Sequence, residues 1–215
     1  MTINEPFVIT ISREVGSGGR TVGRMLATKL NVRYSDKDLI RKLRTQFGLS
    51  TAAIEKLKAE KKNWLGDFLR LVSPVPTATA LLDKDADSLR EYRDDVTTED
   101  VYRAELEILQ ELASEGSLVV AGRSGFFALK NFPNRLDVMI TAPWDTRVQR
   151  IMQKQNLTRE EAKAVVGQVD KARENYVHRF TGTSRYDLRN YHLVLNAEGH
   201  TEEELAQVIL SYIGL

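Results

Sequence analysis

A β-branched apolar run, Val8-Ile9-Thr10-Ile11, leads straight into Ser12-Arg13-Glu14-Val15-Gly16-Ser17-Gly18-Gly19-Arg20-Thr21, after which apolar residues recur at helical spacing through Leu30. A strand that enters a glycine cluster and leaves it as a helix builds a phosphate cradle. Glycine lets successive backbone N–H groups turn toward one anion, and the helix start adds partial positive charge. Gly16, Ser17, Gly18, Gly19, Arg20 and Thr21 are therefore the candidate residues for holding a phosphate group. The spacing approximates GxxxxGK[ST]. With Gly19-Arg20-Thr21 in the last three positions, Arg20 stands at the lysine and Glu14 at the first glycine; moved by one residue, to Gly18-Gly19-Arg20, the pattern has no lysine. In the first register Arg20 can neutralise a phosphate through its fork of donors, and the Thr21 hydroxyl can reach Mg2+. The plain alternative is a glycine turn that only packs. A dinucleotide fingerprint fits less well, because Thr21 stands where its third glycine belongs.

Arginines form the second chemistry-bearing set. Val119-Val120-Ala121-Gly122-Arg123 places Arg123 just after a buried strand, where open α/β sheets bind ligands. Arg147 and Arg150 share one predicted helix face; Asp170, Arg173 and Arg179 follow on the next helix and its exit; Asp36 and Arg41 would flank a pocket just beyond the glycine loop. Phosphoryl transfer spreads charge over the moving oxygens, so positioned cations supply most of its catalysis. Taken singly, each arginine reads as a surface ion pair. Grouped after strand ends beside a glycine cradle, Arg20, Arg147, Arg150 and Arg173 become candidates for catalysis, and Asp36, Arg41, Arg123, Asp170 and Arg173 for substrate binding. His178, His192 and His200 lie beside no plausible nucleophile and read as structural or exposed.

These residues need a frame. Apolar strands over Phe7–Ile11, Leu118–Ala121, Leu136–Thr141 and His192–Leu195 alternate with helical patterns over Thr21–Leu30, Asp36–Phe47, Trp144–Lys154, Arg159–His178 and Glu202–Ile213, and another helix begins at Ser50 and runs to about Lys62. Asn31 to Tyr34 is a short connection or strand. Thr158 with Glu161 and Thr201 with Glu204 fit the capping box. Strand and helix in alternation predict an α/β fold, a mainly parallel sheet covered on both faces. The segment from Lys61 to Val101, with Pro74, Pro76, an apolar group and an acidic run, reads as an inserted helical flap with a mobile loop at Ser73 to Thr79. Its apolar helix face equally fits a surface hairpin or a homodimer contact.

Composition excludes several classes. The absence of cysteine removes disulfides, thiolate metal sites and a cysteine nucleophile. A net charge of +1 gives no bulk attraction to nucleic acid or to an acidic membrane, and the basic patch Lys37, Arg41, Lys42 and Arg44 lacks interleaved aromatics. No secretory leader or membrane-spanning run is legible, so a cytoplasmic protein with small-molecule partners is expected.

Ile9 to Gly23, Tyr34-Ser35-Asp36-Lys37-Asp38-Leu39-Ile40, Val120-Ala121-Gly122-Arg123, Ala142-Pro143-Trp144-Asp145-Thr146-Arg147-Val148-Gln149-Arg150-Ile151 and Val169-Asp170-Lys171-Ala172-Arg173-Glu174-Asn175-Tyr176 together resemble the cytidylate kinase-like family of P-loop nucleoside monophosphate kinases. The resemblance implies a single P-loop kinase-like domain over residues 1–215, three-layered α/β/α, with a helical nucleotide-monophosphate-binding insertion at about 50–105 and a lid at about 151–190. It implies ATP and Mg2+ on Gly16 to Thr21, an acceptor nucleotide near Asp36 and Arg41, and an acceptor phosphate held by Arg41 and Arg123. Arg147 and Arg150 would be the paired lid arginines, and Asp170 with Arg173 a late substrate-contacting pair. Three departures stand out: the loop lysine is missing, Ser124 replaces the aspartate of Gly-Arg-Asp, and Asp36 replaces a serine. They leave open a noncatalytic nucleotide sensor and a kinase for another small acceptor beside the CMP-like reading.

Overall fold

The structure is a computed structural model that describes residues 1–35, 37–50 and 96–215. Asp36, the expected helix beyond Ser50 and the loop Ser73 to Thr79 lie outside the described residues. Five parallel strands, β1 (Val8–Arg13), β2 (Arg33–Tyr34), β3 (Leu118–Ala121), β4 (Arg135–Thr141) and β5 (Leu193–Asn196), stand in the order β2-β3-β1-β4-β5. The described helices are α1 (Gly19–Lys29), α2 (Lys37–Phe47), α3 (Thr98–Ser114), the single turn α4 (Gly125–Ala128), α5 (Trp144–Gln155), α6 (Arg159–Thr181) and α7 (Glu202–Tyr212).

Alternation along the central strands creates the three layers. Val8, Leu118 and Val120 face one side, where Leu39 and Leu43 of α2 and Val101, Ile108, Leu109 and Leu112 of α3 close over them. Ile9, Ile11, Val119, Val138 and Ile140 face the other, against Val22 and Leu26 of α1 and Leu205 and Ile209 of α7. A third cluster, Val15 with Val148 and Ile151 of α5 and Ala162, Val165, Val166 and Val169 of α6, sits beneath the glycine loop. The expected α/β class, parallel sheet and layer order are the observed ones.

Two boundaries differ in ways that matter. Strand β1 runs past Ile11 to Arg13 because β4 offers it further partners, Ser12 opposite Met139 and Arg13 opposite Ile140. Helix α3 begins within the expected helical insertion and runs on to Ser114, beyond the insertion's expected end at about residue 105. It starts at a capping box of Thr97 and Asp100, at the end of the acidic run, and buries Glu105 with its apolar stripe.

The other two capping boxes form as expected on α6 and α7. The Thr158 hydroxyl, then the Thr158 backbone N–H, hold the Glu161 carboxyl below its usual range; the Thr201 backbone N–H, then its hydroxyl, do the same for Glu204. A carboxyl with a depressed folded pKa stabilises fully above its unfolded pKa and loses that contribution as pH falls through the lowered value. Glu161→Gln and Glu204→Gln are therefore expected to flatten the fall in stability between neutral pH and about pH 3, read by urea denaturation across pH. An unchanged slope would refute the assignment.

Candidate phosphate-binding site

The glycine turn follows β1 directly and adopts the geometry its composition suggests. Gly16 and Gly18 have φ of 82° and 85°, in the left-handed region that favours glycine. Gly18 is the N-cap of α1 and Gly19 its first helical residue. The Gly18 carbonyl accepts from the N–H groups of Thr21 (2.9 Å) and Val22 (3.2 Å), which makes Gly18 the start of the helical hydrogen-bond ladder. Ser17 is buried and its Oγ donates to the Glu14 carbonyl at 2.9 Å, tightening the turn. Arg20 projects from the exposed side of α1, and Thr21 is partly exposed in its first turn.

The turn is braced from α5 and α6. Asp170 is buried and accepts from the Val15 N–H at 3.0 Å and from Arg147 Nη1 at 2.5 Å. Arg147 is equally buried; its Nε donates to the Ala142 carbonyl at 2.9 Å, its Nη1 to the Val15 carbonyl at 3.3 Å, and its Nη2 lies 3.4 Å from the Glu14 carboxylate. Glu14 in turn accepts from the Thr141 hydroxyl and from the Ala142 N–H. Each charge is thus paired and hydrogen-bonded, which a low-dielectric setting demands. Arg150 ties the turn to the loop after β5: its Nη1 donates to the Gly16 carbonyl at 3.4 Å and its Nη2 to Ala197 at 3.1 Å and His200 at 3.4 Å.

A ring of cations surrounds the carboxyl end of β1. Arg173 Nη1 donates to the Arg13 carbonyl at 3.4 Å and lies 3.7 Å from Asp170; Arg185 Nη2 donates to the same carbonyl while its Nη1 lies 3.6 Å from Asp170. Arg123, in a left-handed conformation after β3, points Nη1 at the buried Glu105 carboxylate, 3.3 Å away, and the Tyr176 hydroxyl donates to that carboxylate at 2.9 Å. The fold therefore gathers Gly16 to Thr21, Arg123, Arg147, Arg150, Asp170 and Arg173 around one strand end. Arg41 is exposed on α2, and Arg179 pairs with Glu99 at the surface. Sequence reasoning missed Arg13, Glu14 as a brace, Glu105, Tyr176 and Arg185. Arg13 carries only the weak signal of a charged residue two places beyond an apolar run, and Arg185 carries none, since it arrives from a turn beyond α6.

Space around the turn is tight. A Cβ at Gly18 would fall 2.9 Å from the Glu202 side chain and one at Gly16 would fall 2.8 Å from the Arg147 carbonyl, so neither position has room for a side chain. Among the described residues no cluster of three His, Cys, Asp or Glu could hold a metal. The Thr21 hydroxyl suits Mg2+ of the kind that keeps its water and is carried mainly by phosphates. Among the described residues no helix is long and apolar enough to cross a membrane.

Fold and turn together define a P-loop type of three-layer α/β/α protein. The chain belongs to the cytidylate kinase-like family, whose model matches residues 8–199. The cytidylate kinase of Sulfolobus acidocaldarius is 23% identical over 206 residues, 95% of this chain and 93% of its own. A protein of Eubacterium ventriosum shares the fold at a TM-score of 0.65 and 20% identity, over 96% of this chain and 98% of that one. The shikimate kinase of Bacteroides thetaiotaomicron does so at 0.51 and 15%, over 97% and 99%.

Proposed function

We propose that this chain transfers the γ-phosphoryl group of ATP to a nucleoside monophosphate, with a CMP-like acceptor favoured, in the cytoplasm. The observation that carries this reading is the glycine turn at the head of α1, braced by Arg147, Asp170 and Glu14 and faced by Arg123 and Arg173. Family membership supports the same class of reaction.

In this reading the turn's amides bind the donor phosphates. Arg123 and Arg41 hold the acceptor phosphate in line, Arg150 and Arg173 close over the group in flight, and Arg20 adds charge at the mouth. No protein nucleophile is needed, because fixed geometry and fixed positive charge lower the barrier. Thr21 would hold Mg2+ through its hydroxyl, and the ion would supply charge neutralisation at the donor phosphates. Residues 50–105 would carry the acceptor nucleotide together with Asp36, and residues 151–190 would form the lid that excludes water.

Coupled turnover with ATP and a panel of monophosphates is expected to show activity that falls about 100-fold or more in Arg150→Ala, the scale of one lost transition-state contact. Background turnover with every acceptor would overturn the reading. The second reading, a nucleotide sensor without chemistry, is favoured by one feature, the absence of a lysine at Gly19 where α1 begins. It predicts a raised melting temperature with ATP and no product.

A further inference from the structure

We propose that Arg13, the last residue of β1, is the phosphate-binding cation of this site and fills the place that a lysine at Gly19 would take. The assignment rests on the phosphoryl-transfer reading for its ligand, a nucleoside triphosphate.

The argument begins with where the helix starts. With β1 ending at Arg13 and α1 opening at Gly19, Gly18-Gly19-Arg20 falls where the strand–loop–helix motif has its Gly-Lys-[Ser/Thr], and Gly19 falls at the lysine. Gly19 is not an arbitrary gap. A Cβ built there would lie 2.6 Å from the Arg13 Cβ and 3.2 Å from its Cγ, so the Arg13 stem already occupies that direction. The same side chain ends against Gly122, where an added Cβ would coincide with the guanidinium at Nη1. Two glycines on two elements thus clear a path for one arginine. It leads from the phosphate turn to the loop that carries Arg123.

The guanidinium at the end of that path differs from its neighbours in its pairing among the described residues. Arg123 faces Glu105, Arg147 faces Glu14 and Asp170, and Arg173 and Arg185 both lie against Asp170. Among the described residues no carboxylate pairs with Arg13. Its backbone is held instead: the chain pairs it with Ile140, and its carbonyl accepts from Arg173 and Arg185. Burial, opposed by Tyr34 and joined by the charges of Arg123, Arg185 and Arg20, lowers its pKa to about 10, which leaves it protonated at neutral pH. A crowded cation without a counter-ion destabilises the empty protein, and a polyphosphate relieves it. The fork geometry suits two phosphate oxygens at once, which one ammonium does not offer.

The test is calorimetric titration with ATP and with inorganic tripolyphosphate, beside thermal denaturation of the protein without ligand. Arg13→Met is expected to weaken both ligands by about tenfold or more, the loss of one charge-assisted contact, while the ligand-free melting temperature holds or rises. Arg13→Gly combined with Gly19→Lys is expected to recover most of the lost affinity, because the nearest remaining neighbour of a Cβ at position 19 is the Ile140 Cβ at 3.5 Å. Binding by Arg13→Met within twofold of the unaltered protein overturns the assignment. So does a loss of affinity that follows a fall in ligand-free stability and is not recovered by the double variant. No binding of either ligand by the unaltered protein overturns both this assignment and the kinase reading. Binding that depends on Arg13 without turnover on any acceptor overturns the kinase reading alone.

Discussion

Asp170→Asn is expected to lower folding stability by about 3–5 kcal/mol, the cost of stripping one partner from a buried ion pair. Asparagine keeps the size of the side chain and an oxygen for the Val15 N–H, so the loss isolates charge. Arg147 would keep the Glu14 carboxylate at 3.4 Å as its ion-pair partner, while Arg173 and Arg185 would both lose the Asp170 charge they lie against. The effect reaches function through Arg147, whose Nη1 joins Asp170 to the Val15 carbonyl and holds the turn less firmly without that charge. Urea denaturation gives the first quantity and ATP titration the second. Replacing both Arg147 and Asp170 with apolar residues is expected to cost less than the sum of the single changes. Wild-type stability in Asp170→Asn would show that the charge does not hold the turn.

Gly16→Ala is expected to abolish nearly all turnover while leaving most of the fold intact. Two costs add. An L-residue at φ 82° carries about 1–2 kcal/mol of left-handed strain. The new methyl would also sit 2.8 Å from the Arg147 carbonyl and 3.0 Å from its Cα, backbone atoms of a packed helix that cannot swing aside. The turn must move, and a displacement of about 1 Å at a reacting site costs on the order of 100-fold in rate. Gly214→Ala is the control: it shares the left-handed conformation, with φ 86°, but meets nothing within 4 Å. Its stability should fall by the strain alone and its activity should persist. Full activity in Gly16→Ala would remove the turn from the mechanism.

Much of this protein was legible in one dimension because the deciding interactions are local. The apolar run before Gly16 and the helical period after it announce β1, the turn and α1; Thr158 with Glu161 and Thr201 with Glu204 announce two helix starts, and both boxes form. Such signals need only neighbours within a few residues. Strand alternation with helices likewise implies the parallel sheet, since a parallel pair requires a crossover.

What only the tertiary structure decided is the state of each charge. By type and spacing Arg147 and Arg150 look alike, yet burial leaves one committed to Asp170 and Glu14 and the other to three carbonyls across two loops. Arg13 was passed over because nothing near it in the chain says that β4 extends the strand to it, or that Gly19 and Gly122, brought together from two elements, clear its path. Glu105 was invisible for the same reason, one acidic residue on a helix whose buried side is set by the sheet it covers. Local sequence can specify backbone form because each residue's conformational preference acts at its own position. The pairing of charges depends on which groups the folded chain excludes from water together, and that is a property of distant segments meeting.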